Sequence, residues 1–445
     1  MLNEKIFWLS HILWDAESYS IYKWLMKNQW KTFHELKKQQ EKQLRHIIRY
    51  AYEKVPYYHR LMKQLKVSPS DIKKIEDLKK LPILTKETIK NHWEMFKPID
   101  LHKIEYYQFS TGGSTGTPFR YRIDKKSRLL SWLLLYRGWS YGGYSPGQQI
   151  LFIGGTSIGK DSVIQHIKDK LRNFIRISAF DMSDDALERY LTIINRKKPK
   201  FWYGYATSIY FLLKWVKINN KELSYSPKAI FTTAEKLHKP MRKLIEEVSG
   251  SSVFDQYGLN DGGVSAMECE EHMGLHISTE RAIMEIVDKD GEPLDEGTGT
   301  IIATDLYNKS LPFIRYNTGD RGNLLPSDFS CPCGRGSRML KEIIGREEDM
   351  LITPTGRYIH GEFITHIFWE LPEVKKFRII QKRKDKISIL IEPEDTFNYE
   401  KVSQVIKNRL RNANINWEIE IKLTKSIKSA NKHKFIINKL FERDV

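Results

Sequence analysis

Between residues 148 and 258 the sequence swings repeatedly from short apolar runs to amphipathic stretches, and few architectures accept that rhythm. QILFIGG reads as a buried strand, and DSVIQHIKDKLRNF follows it as a helix with apolar residues at helical intervals. FWYGYA ends a strand ahead of the helix SIYFLLKWVKI. KAIFTTAE is the next strand, KPMRKLIEEVSG the next helix, and SVFDQYG a further strand. Strands that alternate with helices of this length imply α/β layers.

The flanks differ in character. TFHELKKQQEKQLRHIIRYAYEKV opens a helical stretch over 32–66, which Val55-Pro56 interrupts. Short helices are expected over 70–80 and 86–96, with Leu81-Pro82 between them. EYYQF and 119–123 are β-like, and 125–140 is helical. From 280 to 325 the pattern turns to strands (AIMEIVD, GTIIATDL, FIRYNTGD), with a turn at DKDGEP. After Gly345-Arg346 a stretch of about 95 residues has its own helix and strand pattern, long enough for a small domain. The 445 residues exceed what one hydrophobic core usually serves. The expected architecture is a large N-terminal multi-layer α/β domain with a β subdomain over 1–345, plus a small mobile α+β domain over 350–445. The first comprises a helical segment 1–100 and a core 101–345, and the joint lies near 346–349. Neither an internal repeat nor a low-complexity segment is visible.

Hydrophobic residues make up 40% of the chain and charged residues 29%, which excludes a disordered chain. The formal charge is +18, and residues 1–100 carry 20 Lys/Arg against 12 Asp/Glu. That balance favours anionic partners, although a solvated lysine-rich surface accounts for it equally well. The basic residues are scattered along the chain, which argues against a nucleic-acid reader. The first thirty residues hold Phe7, Trp8, Trp14, Trp24 and Trp30, interrupted by Asp15, Glu17 and Lys23. Two readings stand: an amphipathic helix lying on a membrane, or a helix packed on the body. The second is preferred, because apolar stripes mostly face a core. No secretory signal and no apolar run of bilayer length is visible. The three cysteines, Cys269, Cys331 and Cys333, do not suggest a disulfide framework. The expected location is the cytoplasm, with the inner membrane face as the variant that membrane contact would require.

STGGSTGTP, starting at Ser110, is rich in glycines and hydroxyl side chains and carries no charge. Glycines let a backbone come close to a ligand, and successive amides with Ser/Thr hydroxyls can converge on an anion. A phosphate cradle is the functional reading, a surface loop the plain one. A rival lies at GGTSIGKD, where Gly154, Gly159 and Lys160 fit part of a G-x-x-x-x-G-K pattern. There Asp161 stands where a Mg²⁺-binding hydroxyl belongs, and its charge would repel phosphate.

Read with four later stretches, the glycine loop acquires company. These are YGLND at 257–261, RYNTGD at 315–320, GREED at 345–349 and SANKHKF at 429–435. In this order the set resembles the adenylate-forming superfamily, and most closely the phenylacetate–CoA ligase family with its relatives from capsular polysaccharide biosynthesis. LPILTKE, AYEKVPYYHR and ECEEHMGLH also match that family's habits. The resemblance covers most of the chain. It implies an AMP-forming ligase that activates a carboxylate with ATP, releases pyrophosphate, and passes the acyl group to CoA or another acceptor.

The resemblance also implies roles. Ser110, Thr111, Gly112, Gly113, Ser114, Thr115, Gly116 and Thr117 would clamp the β- and γ-phosphates. Lys432 would be the catalytic lysine, although Asn431 replaces the family's usual glycine and Lys434 lies close by. Asp320 would accept the ribose hydroxyls (its plain role is to cap a turn), and Arg315 would meet phosphate or carboxylate unless it pairs with an acidic neighbour. Tyr257, beside Gly258, offers a ring face to adenine, or else belongs to the core. Ala234 and Glu235 would line the adenine pocket. Asp261 stands where many relatives carry a glutamate that helps hold Mg²⁺. Arg346 would meet the nucleotide, and Asp349 would be the hinge pivot. Trp202, Tyr203, Tyr205 and Asn260 are candidates for the acyl pocket.

Some members of that family also carry a metal. Cys269, Cys331 and Cys333 with His276 make a Cys₃His set, the closed tetrahedral kind typical of structural zinc; His272 competes for the histidine place, and three reduced core thiols are the alternative. The implied partners are a small carboxylic acid and either CoA or an amine or sugar acceptor, with no nucleic acid. Monomer and homodimer both stay open. The rival classes are a membrane-associated binding module, and a degenerate adenylating fold for which Asn431 and Asp261 leave room.

Overall fold

The computed structural model describes residues 2–12, 15–110, 119–154, 163–179, 182–346, 350–355, 358–360, 367–368, 371–412, 415–427 and 435–441. The first two helices, Leu2–Ile12 and Ser18–Asn28, lie on the body. Phe7 and Trp8 are buried, Phe7 packs edge-on against Tyr136, and His11 Nε2 lies 3.1 Å from the Tyr136 hydroxyl. Trp24 and Trp30 stay exposed. The helix Phe33–Lys54 starts at a capping box, in which Thr32 and Glu35 satisfy each other's backbone amides, and it ends at Val55. Pro56, which has no N–H to lose, begins Pro56–Gln64.

The expected 70–80 helix is instead two 3₁₀ turns, Pro69–Asp71 and Ile75–Lys80. Asp71 and Asp77 accept from the amides of Ser68, Lys73 and Lys74, and such local bonds compete with helix propagation. The expected 86–96 helix stops at Asn91. Between these turns and that helix the chain is extended. Leu84 bridges Tyr316 in parallel: its N–H donates to Arg315 O at 2.9 Å and its carbonyl accepts from Asn317 at 2.8 Å.

β1 (Tyr106–Ser110) and β2 (Arg120–Asp124) pair antiparallel with Ser110 opposite Arg120, so they bracket the glycine loop. A five-stranded parallel sheet follows: β3 (Ile150–Gly154), β4 (Phe174–Ser178), β5 (Phe201–Tyr205), β6 (Ala229–Thr233) and β7 (Val253–Phe254), in the order β4-β3-β5-β6-β7. Alternate residues face opposite layers. Ile150, Phe201 and Ala229 pack with the helix Lys125–Tyr141, whereas Leu151, Trp202 and Ile230 pack with the helices Asp184–Lys197, Ala206–Ile218 and Lys239–Ser249. Sequence reading overlooked β4 and the helix Asp184–Lys197. FIRIS is an edge strand with a cation at its centre, and Arg176 is satisfied by Asp169 at 2.5 Å.

β8 (Gln256–Gly258), β9 (Ser265–Glu268), β10 (Leu275–Ile277), β11 (Ala282–Val287), β12 (Gly297–Asp305), β13 (Tyr316–Leu324) and β14 (Met339–Arg346) form a seven-stranded antiparallel sheet, ordered β11-β12-β13-β14-β10-β9-β8. Its core also takes in Leu44, Ile48, Tyr58, Leu84 and Ile89 from the N-terminal segment. The smaller C-terminal domain has its own core, in which Ile379, Ile387 and Ile389 meet Val402 and Ile406 of the helix Tyr399–Asn412. It rests on the parallel-sheet layer, where Lys214 Nζ donates to Val374 O at 2.6 Å.

Candidate active site

In the parallel sheet Tyr205 pairs with Thr233 and Ile153 with Gly204, so β3, β5 and β6 end along one edge. Ligands of open α/β sheets bind outside the carboxyl ends of the strands. Tyr205 closes β5, and Ala234 and Glu235 follow β6. Ala234 is in the left-handed region (φ 68°). Glu235 Oε2 accepts from the Thr207 amide at 3.0 Å and from its hydroxyl, so a carboxylate sits at the N-terminus of the helix Ala206–Ile218. Lys236 then reaches Ile344 O at 3.3 Å, which ties this edge to β14.

The register of the antiparallel sheet places Arg346 directly opposite Asp320. The Tyr257 hydroxyl donates to Asp320 Oδ2 at 3.0 Å. Burial, together with the Asp320 charge, raises the Tyr257 phenol well above its ordinary value, so it stays a donor at any physiological pH. Asp261 is almost fully buried and accepts from the Tyr316 hydroxyl at 2.9 Å; burial raises its carboxyl, and the Lys86 charge opposes that shift. Phe119, the first described residue after the glycine loop, stacks on Tyr316 with ring centres 6.3 Å apart. The loop therefore re-enters the described structure beside Asp261. In the sequence, nothing in LPILTKE marks Lys86 as a site residue. Only the Leu84–Tyr316 bridge, which depends on tertiary structure, brings it to the site.

Thr111 to Thr117, Asp349 and Lys432 lie outside the described residues, as does most of GGTSIGKD. Arg315 does not join the cluster. Its guanidinium is buried and faces Glu285 at 3.3 Å, while Nη1 and Nη2 donate to Leu81 O and Gly291 O. The acidic-neighbour reading is the one its geometry matches, since its donors are turned inward. Trp202 is fully buried and bonds to the Tyr225 hydroxyl, so it is core rather than pocket lining. Tyr203 packs on Trp139 and Phe152. Asn260 is exposed on the turn between β8 and β9, and its carbonyl accepts from Arg281 Nη2 at 3.2 Å.

A second cluster sits past the far end of β9. The ligand atoms of Cys269, His276, Cys331 and Cys333 all lie within 4.8 Å of one another. The Cys269 and Cys331 sulfurs are 3.7 Å apart, and Cys333 Sγ is 3.3 Å from His276 Nε2. A tetrahedral zinc with bonds of about 2.3 Å sets its sulfurs about 3.7 Å apart, so the donor set fits that ion. His276 Nδ1 faces Ser337 Oγ at 3.3 Å, which orients the ring. Burial, and after it the charges of Arg335 and Arg137, hold His276 down at about 4, in the neutral form that binds metal. Burial pushes the Cys269 and Cys331 thiols up, so their ionisation calls for a cation. His272 is excluded from the set. It adopts φ 51° and turns toward Glu268, 3.2 Å away. The same knuckle grips the N-terminal segment: Arg335 lies between the rings of Trp30 and Tyr141 and donates to Gln29. A Cβ on Gly336 would meet Lys31 O at 2.1 Å, so only glycine fits there.

Comparison with known proteins places this geometry in context. Residues 351–439 match the model of the CapK C-terminal domain. The chain is 26% identical over 394 residues to a phenylacetate-coenzyme A ligase of Thermus thermophilus, covering 83% of this chain and 84% of the relative. It is 25% identical over 416 residues to the protein CapK of Staphylococcus aureus, covering 90% and 89%. Among solved structures, 2-hydroxyisobutyryl-CoA ligase in the postadenylation state superposes with a TM-score of 0.75 at 18% identity, covering 93% of this chain and 91% of the other.

Proposed function

We propose that this chain, a homologue of the phenylacetate–CoA ligases and of CapK with the fold of adenylate-forming CoA ligases, is an AMP-forming acyl-activating ligase. The observation that carries the reading is the convergence of Tyr257, Asp320, Arg346 and Asp261 beside the hairpin that holds the glycine loop. A carboxylate oxygen attacks the α-phosphorus of ATP, a P–O bond forms, and pyrophosphate leaves. No protein nucleophile is needed, so catalysis rests on donors and cations placed around the growing phosphoryl charge.

In this reading Asp320 accepts the ribose hydroxyls and Tyr257 lays its ring by the base, with Ala234 and Glu235 along the adenine edge. The amides and hydroxyls from Ser110 to Thr117 hold the outer phosphates. Asp261 would hold Mg²⁺, which would supply positive charge against the phosphates. Arg346 meets the nucleotide, and Lys432 reaches the α-phosphate from the C-terminal domain. Tyr205 and Asn260 border the acyl group. The acceptor then attacks the adenylate carbonyl and AMP departs. CoA is the first candidate acceptor. The likeness to CapK favours, as a second reading, an amine or hydroxyl on a glycan precursor in capsule synthesis, with an amino or uronic acid as the activated acid. The Cys₃His cluster is assigned to structural zinc: its four ligands leave no open position, and it lies away from the nucleotide residues. Among the described residues no helix is long and apolar enough to cross a membrane.

The test is ATP–pyrophosphate exchange over a panel of aryl, fatty, amino and uronic acids, followed by product analysis with CoA and with amino sugars. Exchange with one acid class and thioester formation is the expected outcome. No exchange with any acid, from protein that binds ATP, would favour the non-catalytic alternative.

A further inference from the structure

The turn that carries Asn260 and Asp261 is closed by one backbone bond of its own, from Leu259 N to Val264 O at 2.9 Å. Gly262 and Gly263 follow Asp261 with φ of 90° and 79°. A Cβ at Gly262 would meet Ala303 at 2.7 Å, and one at Gly263 would meet Asp305 Oδ2 at 2.5 Å. These two positions have neither a side chain nor room for one. Tyr316 holds the Asp261 carboxylate, and further bracing comes from Arg281, which precedes β11 and is 2% exposed. Arg281 Nη1 donates to Leu259 O at 3.4 Å and Nη2 to Asn260 O at 3.2 Å, two successive carbonyls of the turn. Its Nε donates to Ser127 Oγ at 3.0 Å, and Nη2 lies 3.5 Å from Asp305 Oδ2.

The anchor is itself built in. Asp305 is fully buried, its Oδ1 accepts from the Tyr307 and Asn308 amides, and its Oδ2 accepts from Ser127 Oγ at 2.9 Å. Ser127 N donates to Asp124 Oδ1 at 2.8 Å, and Asp124 ends β2, the strand that leaves the glycine loop. One guanidinium therefore keys the Asp261 turn to the hairpin of the glycine loop. A buried ion pair is a poor source of stability, since apolar residues of equal volume often hold a fold as well. What apolar residues cannot do is hold two carbonyls with a planar fork of donors.

We propose that Arg281 is a positioning residue for Mg²⁺: it sets Asp261 at the height and angle from which its carboxylate would meet the metal that accompanies the nucleotide. The inference rests on the adenylating reading above. Lysine at 281 keeps the charge and loses the fork. In Arg281→Lys, the Mg²⁺ concentration for half-maximal pyrophosphate exchange should rise roughly 10- to 100-fold, as is usual when a group behind a metal ligand is lost. ATP affinity in EDTA should not change. Arg335→Lys is the structural control: it loses the same planar fork at another buried arginine, which binds Gln29 and Glu270 and touches no residue of the turn, so it should lower the melting temperature without moving the Mg²⁺ requirement. A wild-type Mg²⁺ requirement in Arg281→Lys overturns the proposal, as does an equal shift in Arg335→Lys. Should Arg281→Lys not fold, Asp305→Asn loosens the anchor and must shift the requirement in the same direction; no shift there overturns it. A parallel titration of Mn²⁺ with ATP, read by electron paramagnetic resonance, needs no turnover. Wild-type protein that binds Mn²⁺ with ATP yet exchanges no pyrophosphate would reject the reaction, and the Mn²⁺ affinities of the variants would still decide the role of Arg281.

Discussion

The Tyr257 hydroxyl and the Asp320 carboxylate meet at 3.0 Å although β8 and β13 are not neighbours in their sheet. The sheet curls until its edge strand touches its interior strand, and the proposed nucleotide site is where they meet. Asp320→Ala removes the proposed acceptor for the ribose hydroxyls. A hydrogen bond to a charged group contributes about 1.5–3 kcal/mol, so ATP affinity should fall roughly 10- to 100-fold. Tyr257→Phe keeps the ring and should cost about 1 kcal/mol. Titration with a fluorescent nucleotide checks both; equal losses would place the binding energy in the phenol rather than the carboxylate.

Asp255 gives a pH signature. Burial, and then the Glu268 charge, raise its carboxyl from 3.8 to about 7. Between these values the folded protein binds a proton that the unfolded chain has released, so this group's contribution to stability falls as pH rises from about 4 to about 7. Asparagine still accepts from Thr232 and does not titrate. Asp255→Asn should therefore gain on wild type across that window, by up to about 1.4 kcal/mol per pH unit. Melting curves at pH 5, 6 and 7 test this, and parallel profiles would contradict the raised value.

The Cys₃His cluster predicts one zinc per purified chain. Cys331→Ser and His276→Ala should release it and lower the melting temperature by roughly 5 °C or more, whereas His272→Ala should keep it. Metal analysis decides the point: retention of zinc in His276→Ala would remove that histidine from the set.

Lys432→Ala should cut adenylation roughly 10²- to 10³-fold and leave ATP binding near wild type, if the lysine acts, as proposed, on charge that develops in the transition state. Unchanged pyrophosphate exchange would move the role to Lys434.

In the proposed mechanism adenylation uses a lysine at the α-phosphate, and acyl transfer uses that space for the acceptor. Proline at 349 fixes φ and restricts a pivot there. Asp349→Pro should slow one half-reaction far more than the other. Equal loss in both, at wild-type stability, would indicate a site without domain rotation.

The layered α/β plan was legible in the sequence because strands buried on both faces leave unbroken apolar runs such as QILFIGG. The edge strand FIRIS was not, because its central arginine finds its partner only in the folded chain. The choice between His272 and His276 could not be made from spacing. The geometry favours His276, because β10, through its pairing with β9 and β14, places it beside Cys333. Both readings of Arg315, toward phosphate or toward an acidic neighbour, stayed open because nothing in RYNTGD reveals Glu285, two strands away in the sheet. Arg281 had no signal at all: a single cation before an apolar run acquires its meaning from two carbonyls that only tertiary structure delivers.

The bridge between Leu84 and Tyr316 has a consequence for how the protein is made. A ribosome delivers the chain in order, so the N-terminal helices emerge long before the strand that completes their core. Leu44, Ile48, Tyr58 and Ile89 remain without Ile301, Phe313 and Tyr316 until most of the polypeptide has left the exit tunnel. For most of its synthesis the nascent chain thus carries an open apolar surface at its leading end, which makes it a client for the chaperones that meet chains there.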